Sequence, residues 1–263
     1  RLVAETLHRR LTEHGQEVVL IDLSPKSQTV AEQDDLADAP CCLWIGSPVY
    51  CDHAVPLVTD FLRGLPVVPS GNYAVPFVTW GGVTSGLSLL EMATQLQEKN
   101  FLPLAAAKIL AVHSSMWAAP QPLAFGHPDT DDLGQVEQLV DAVISQLAGE
   151  EVVPLDVQRL DYLSATLRAD AVSKTLKAAK AAMPPLTVDA KRCQQCGECA
   201  AQCPVAAIHL DPLPTCTDAC ILCLQCVRSC PCEAFIFDTA AVAARITAMA
   251  ANSDEEKRTM TFI

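Results

Sequence analysis

The chain has 263 residues and is 50% hydrophobic, so it is long enough for one large domain or two ordinary domains with a substantial core. Its net charge of −13 disfavours nucleic acid as a partner and favours basic docking faces on partner proteins. Its longest apolar runs are far shorter than a membrane span, so the sequence predicts no transmembrane segment.

The first 150 residues alternate short apolar runs with helical patterns, which is typical of a parallel sheet covered by helices. We therefore expect an α/β fold over residues 1–150. One expected helix ends at Gly15 and another at Arg63, and three more cover residues 27–39, 85–99 and 131–147. The expected strands cover residues 17–23, 41–45, 75–80 and 108–113.

Two loops that follow expected strands combine aromatic side chains with glycines and small hydroxyl residues. In sheets of this kind, ligands bind outside the carboxyl ends of the strands. Such loops suit a flat ring, which needs stacking on its face and backbone hydrogen bonds at its edge. The candidate contacts are Ser47, Pro48, Val49 and Tyr50 in one loop and Thr79, Trp80, Gly81 and Gly82 in the other.

These two loops resemble those that hold the FMN isoalloxazine ring in the flavodoxin-like family, and the order of elements over residues 1–150 also fits. The resemblance implies a doubly wound parallel sheet that binds FMN. The sequence departs from the family at one point, because the first strand and the phosphate loop should come immediately before Arg1. We therefore expect an N-terminally truncated sheet without its strongest FMN anchor.

Residues 151–185 carry an apolar stripe at helical spacing that ends at Pro184 and Pro185, which predicts a helical linker. We interpret this linker as a spacer helix packed on one or both domains. The alternative is that it fixes the distance between a flavin and a cluster. Residues 239–263 are expected to form a C-terminal helix over 239–251 and a charged tail, packed back on the body.

Residues 193–231 contain the pattern CxxCxxCxxxCP twice. Each cysteine of the first copy recurs 27 positions later, and so do two other residues of the unit, so the repeat is structural rather than compositional. The first copy holds Cys193, Cys196, Cys199 and Cys203, and the second holds Cys220, Cys223, Cys226 and Cys230.

In this bacterial spacing, three thiolates from one tight loop hold one [4Fe-4S] cluster and the cysteine before proline ligates the other cluster. Both motifs are complete, and they closely resemble the bacterial two-cluster ferredoxin, an α+β domain that we expect over residues 186–238. The resemblance implies two ligand sets, namely Cys193, Cys196, Cys199 and Cys230 for one cluster and Cys220, Cys223, Cys226 and Cys203 for the second.

A structural zinc site or a disulfide framework is the alternative explanation of these cysteines. Zinc sites usually take pairs of CxxC knuckles separated by a longer spacer, whereas here the cysteines come in triplets with a proline-linked fourth. Disulfides are poorly served by cysteines two residues apart in one loop, and they belong to oxidising compartments. The sequence therefore favours clusters.

The other five cysteines lie outside the repeated pattern. Cys41, Cys42 and Cys51 are expected to pack as small apolar side chains. Cys216 and Cys232 lie among the cluster ligands but off the repeat. We expect these two to modulate a cluster potential by their polarity at most.

Three histidines near loop ends, His53, His113 and His127, could donate protons to a reduced flavin. The plainer expectation is that each is a surface or hydrogen-bonded loop residue. The sequence contains no motif for nucleophilic or hydrolytic catalysis, so we expect no catalytic residue of those classes.

Over nearly its whole length the chain resembles the flavodoxin–ferredoxin fusion proteins. The resemblance implies an oxidoreductase-type protein that transfers electrons through two clusters, coupled to FMN, with redox partner proteins. One alternative is a flavin-dependent reductase of a small substrate, and another is an FMN-free scaffold that docks a partner for the ferredoxin. Oxygen-sensitive clusters and free thiols predict a reducing cytoplasm.

Overall fold

A computed structural model gives the structure of the protein and describes residues 1–25 and 40–263. The helix expected over residues 27–39 lies outside the described residues. The fold is a mixed α/β arrangement built on a sheet with parallel strands. In the described part of the chain, no helix is both long enough and apolar enough to cross a membrane.

The helices and strands are numbered in chain order. The helices are α1 (Leu2–Glu13), α2 (Pro56–Gly64), α3 (Ser88–Glu98), α4 (Thr130–Leu147), α5 (Ala165–Ser173), α6 (Leu176–Ala182), α7 (Glu198–Gln202), α8 (Gln225–Arg228) and α9 (Thr239–Ala251). The strands are β1 (Cys42–Tyr50), β2 (His53–Ala54), β3 (Tyr73–Trp80), β4 (Leu102–Pro103), β5 (Ala106–Leu110), β6 (Thr187–Val188), β7 (Ile208–Leu210), β8 (Pro214–Cys216), β9 (Phe235–Ile236) and β10 (Met260–Phe262).

The main sheet has the strand order β10-β5-β3-β1-β2, and β4 also pairs with β3. Strands β1, β3 and β5 are parallel, whereas β2 and β10 pair antiparallel at the two ends of this order. Strands β3 and β5 are buried on both faces, which is why they read as continuous apolar runs in the sequence.

The core lies in two layers, one on each face of the sheet. Along β3, the side chains of Val75 and Phe77 join the layer formed by α1 and α4, whereas Ala74 and Val78 join the layer formed by α2 and α3. This alternation follows from the two-residue period of a strand. Helix α4 shows the matching helical period, and Asp129 caps its N-terminus by accepting hydrogen bonds from two backbone amides.

Several expected strand boundaries were wrong. Residues 17–23 form no strand, because no described strand lies beside them to pair with. Strand β1 continues past residue 45 to Tyr50, since Pro48 still pairs with Thr79 of β3. The last parallel strand, β5, begins two residues before Lys108 and ends at Leu110.

The C-terminal tail was expected to form a helix and a charged segment. The helix forms over the expected residues as α9, but the tail then adds β10 to the main sheet beside β5. Phe262 of β10 is buried, and its ring stacks on Tyr162 at a centroid distance of 5.3 Å. The C-terminus is therefore part of the α/β core.

The linker region also differs from the single helix expected there. It contains two helices, α5 and α6, which Ser164 and Thr175 cap at their N-termini. The backbone is extended at Lys174 between them, and the ammonium group of this lysine forms an ion pair with the buried carboxylate of Asp52. His53 contacts the carbonyl oxygen of Ala171 at 3.1 Å, so the linker packs against the β1–β2 turn.

We predict opposite effects for two glycine-to-alanine changes. A methyl group at Gly46 would overlap the ring of Phe77, so Gly46→Ala should lower the free energy of unfolding by about 1–3 kcal/mol. Gly134 lies inside α4 with open space around its Cα, so Gly134→Ala should raise the free energy of unfolding by about 0.5–1 kcal/mol. Denaturant unfolding of both variants tests this, and similar effects of the two changes would contradict the packing described here.

Candidate functional site

The repeated cysteine motifs fold as two matching units that are joined by their strands. In each unit the first two cysteines lie on a loop and the third lies on a short helix, α7 in the first unit and α8 in the second. Strand β6 of the first unit pairs with β9 of the second. The two units are therefore interlocked rather than placed end to end.

The two cysteine loops have the same backbone shape. Gln195 and Leu222, which are equivalent in the repeat, both have positive φ angles, 53° and 61°. Gly197 and Leu224, also equivalent, have φ angles of 77° and 56°. Left-handed backbone is unfavourable for leucine, so its presence at the position equivalent to a glycine indicates that the loop shape is required.

One cysteine-lined cavity, of about 330 Å³ including space open to solvent, lies between the two units. It contains three thiols of the first motif and the proline-linked thiol of the second. Cys199 lies close enough to both Cys196 and Cys230 for electrostatic interaction between their sulfur atoms. The cysteines around this cavity, which we call the first cavity, are Cys193, Cys196, Cys199, Cys230 and Cys232.

A second cavity, of about 1030 Å³ including space open to solvent, has the reciprocal composition. It contains three thiols of the second motif and the proline-linked thiol of the first, and Cys223 interacts electrostatically with both Cys203 and Cys220. The cysteines around this second cavity are Cys203, Cys216, Cys220, Cys223 and Cys226.

Backbone amides point at several of these sulfur atoms. The amide of Ala207 donates to the sulfur of Cys203 at 3.2 Å, and the equivalent amide of Ala234 donates to Cys230 at 3.3 Å. The amide of Leu222 donates to Cys220 at 3.4 Å. Such N–H to sulfur hydrogen bonds favour the thiolate form and help to set the reduction potential of an iron–sulfur cluster.

The donor set of each cavity fits a [4Fe-4S] cluster. Each cavity brings together four motif thiols, which is the number that such a cluster needs, and backbone amides are available to its sulfur ligands. The residues that would hold the cluster in each cavity are the ones named from the sequence.

The two cavities have different surroundings. Cys196, at the first cavity, is exposed to solvent. At the second cavity, Ile221 is buried in the same core as α2 and α3, and Val205 and Cys223 pack against this core. The second cavity therefore lies against the α/β core on one side, and on another side its wall includes the exposed Cys216.

Tyr50 connects the sheet to the second cavity. Burial raises the pKa of its hydroxyl, a hydrogen bond with the Ser114 side chain opposes that effect, and the nearby thiol of Cys223 adds to it. This tyrosine, which the sequence analysis named as a flavin contact, thus lies close to a cysteine of the second motif.

The structure brings the two candidate flavin loops together but covers the ring of Trp80. Pro48 and Thr79 are paired neighbours at the carboxyl edge of the sheet, and Pro48 is exposed. Trp80 is only 1% exposed, with the ammonium group of Lys108 over its ring at 4.9 Å from the centroid. Tyr50 is only half-buried, so the stacking role predicted for the two rings is opposed by the structure at Trp80 and stays a prediction at Tyr50.

The other flavin-loop residues are also in contact with protein. Ser47 is buried, and its hydroxyl donates to the carbonyl of Pro48 and accepts from the amide of Val55. Val49 pairs with Ala54 of β2. Gly81 lies against the His113 ring, where an added Cβ would come within 2.6 Å, and Gly82 is buried. Flavin contact by these residues stays a prediction.

A buried ion pair beside Trp80 was missed by the sequence analysis. Lys108 donates to Glu255 at 2.6 Å, with both side chains almost fully buried, and Ser85 also bonds to this carboxylate. Burial lowers the pKa of Lys108, and the charge of Glu255 opposes this shift. The available signal was a lysine inside the apolar run of β5, but its partner is 147 residues away and could not be named.

Two of the three candidate histidines contact carboxylates through their rings. His53 contacts Glu91 at 2.9 Å, and His127 contacts Asp132 at 2.6 Å beside the N-terminus of α4. These contacts agree with the expectation of hydrogen-bonded loop residues.

Among the cysteines outside the motifs, burial raises the pKa of Cys42 to about 12, which keeps its thiol protonated and agrees with a packing role.

Comparison with known proteins supports the metal site. The model of the 4Fe-4S binding domain matches residues 186–209, which hold the first cysteine motif, so the chain contains a ferredoxin-type domain that binds at least one [4Fe-4S] cluster. A search of curated proteins found no significant match. Among solved structures, the chain is similar to rubredoxin oxygen:oxidoreductase from the anaerobe Desulfovibrio gigas, with 21% identity over 56% of this chain and a TM-score of 0.41. The chain spans 33% of that protein's length.

We predict that His113 makes the protein less stable in mild acid. Burial lowers the pKa of His113 to about 4 from 6.5, and its Nδ1 has no hydrogen-bond partner among the described residues. The unfolded chain therefore binds more protons than the folded protein between these two pH values, so stability falls as the pH falls through that window. His113→Gln should reduce this fall by up to about 3 kcal/mol, measured by denaturant unfolding. The exposed His209 provides the control, and an equal effect of His209→Gln would contradict the prediction.

Proposed function

We propose that the protein transfers electrons through two [4Fe-4S] clusters, and that each cluster is held by three thiolates of one motif and the proline-linked thiolate of the other. A bound [4Fe-4S] cluster accepts and releases one electron at a time. The observation that carries the proposal is the reciprocal composition of the two cavities. The proposed ligands are Cys193, Cys196, Cys199 and Cys230 in the first cavity and Cys220, Cys223, Cys226 and Cys203 in the second.

The surroundings of the two cavities support different roles for the two clusters. The first cavity offers partner proteins an exposed contact surface, because Cys196 is exposed there and the large side chain of Leu210 on its wall is 44% exposed. The second cavity lies against the α/β core and Tyr50. We therefore assign electron exchange with redox partner proteins to the first cluster, and we place the protein in the cytoplasm, where a reducing environment protects such clusters.

The α/β domain has two possible roles, and the observations favour a scaffold. Its core packs directly against Ile221 and Cys223, which supports the second motif. In the alternative role the domain binds FMN and couples it to the clusters, or uses it to reduce a small substrate. The unpartnered polar atoms Nε1 of Trp80 and Nδ1 of His113, near Gly81, favour this second role.

The burial of Trp80 opposes the flavin role. The two roles are distinguished by the absorbance and fluorescence of the purified protein. FMN that remains bound through gel filtration would favour the flavin role.

Counting iron and acid-labile sulfide per chain tests the proposal directly. After anaerobic reconstitution, we expect about eight iron atoms and eight sulfides, because two cubic clusters need four of each. A value near four would leave a single cluster and contradict the proposal. Zinc in place of iron would contradict it as well.

A further inference from the structure

The second cavity holds one thiol more than a [4Fe-4S] cluster needs. Besides the four motif cysteines, its wall includes Cys216, which lies at the end of β8. The position equivalent to Cys216 in the first unit is Asp189, whose carboxylate accepts the amide of Lys191 and which does not line the first cavity. At this position of the repeat, only the second unit therefore carries a thiol.

Backbone pairing fixes the place of Cys216. It pairs with Ile208 across the β7–β8 hairpin, and the next amide, that of Thr217, donates to the carbonyl of Ala207 at 2.9 Å. The chain then turns, with the amide of Cys220 donating to the carbonyl of Thr217 at 3.1 Å. This turn brings Cys216 next to the first cysteine of the second motif.

The side chain of Cys216 faces the motif thiols. It lies close enough to Cys220, Cys226 and Cys203 for electrostatic interaction with their side chains. It is also exposed to solvent, so it remains accessible when the four motif thiols are engaged. Three of the four proposed ligands of the second cluster are thus neighbours of this one thiol.

We propose that Cys216 is a reserve ligand of the second cluster, able to bind iron in place of Cys220. The inference rests on the function proposed above. In the exchange, the thiol of Cys216 gives its proton to water and forms an iron–sulfur bond at the corner that Cys220 has left. The released sulfur of Cys220 takes up a proton, so neither the cluster nor the protein changes its oxidation state.

The test uses iron and sulfide counts on anaerobically reconstituted full-length variants. Cys220→Ser should keep about eight iron atoms per chain, because Cys216 replaces the lost thiolate, and Cys216→Ala should also keep about eight. The double variant Cys216→Ala/Cys220→Ser should fall to about four. About four iron atoms or fewer in Cys220→Ser, or about eight in the double variant, would overturn the proposal.

The first unit supplies a matched control. Cys193 is equivalent to Cys220, and the fifth thiol at its cavity, Cys232, can be removed by substitution. The variant Cys193→Ser/Cys232→Ala should therefore lose one cluster and fall to about four iron atoms. Wild-type protein with only four iron atoms would instead refute the two-cluster function. Failure of the reserve-ligand proposal is therefore distinguishable from failure of the proposed function.

Thiol alkylation gives a second readout that does not depend on electron transfer. Native protein is treated anaerobically with iodoacetamide, and the modified cysteines are identified by mass spectrometry. Cys216 should be modified in the wild type, where it is exposed and holds no iron, and protected in Cys220→Ser. Modification of Cys216 in both proteins would overturn the proposal.

Discussion

The arrangement of the C-terminal domain depends on one geometric constraint. Three thiolates spaced two residues apart can hold three corners of a cubic cluster, and the fourth ligand has to come from outside their loop. In this chain each cavity that is lined by one motif also holds the proline-linked thiol of the other motif. With the proposed ligand sets, neither half of the domain completes its metal site alone, and the β6–β9 pair joins the two halves.

The small apolar core of the two units accounts for the position of the second motif against the α/β domain. With few apolar residues of their own, the two units form only a small core around Cys199, Cys203 and Cys226. Val205 packs against both this core and the larger core that contains Ile221. The α/β domain therefore forms one wall of the second cavity.

Periodic patterns in the sequence predicted the helices whose formation depends on neighbouring residues in the chain. The periodicity over residues 131–147 matches α4, whereas the ligand sets inferred from the doubled cysteine spacing stay a prediction. The failures all involve distant partners. The strand expected over residues 17–23 has no described neighbour, β10 joins the sheet across more than 140 residues, and burial of Trp80 depends on Lys108 and its distant partner Glu255.

The exchange of ligands between the two motifs is tested most directly by a single change at the first cavity. In Cys196→Ser, anaerobic alkylation of the native protein followed by mass spectrometry shows which thiols lose protection together with the damaged cluster. The account predicts new modification at Cys193, Cys199 and Cys230, with Cys203 still protected. New modification at Cys203 with Cys230 still protected would show that each motif completes its own site, and would contradict the account.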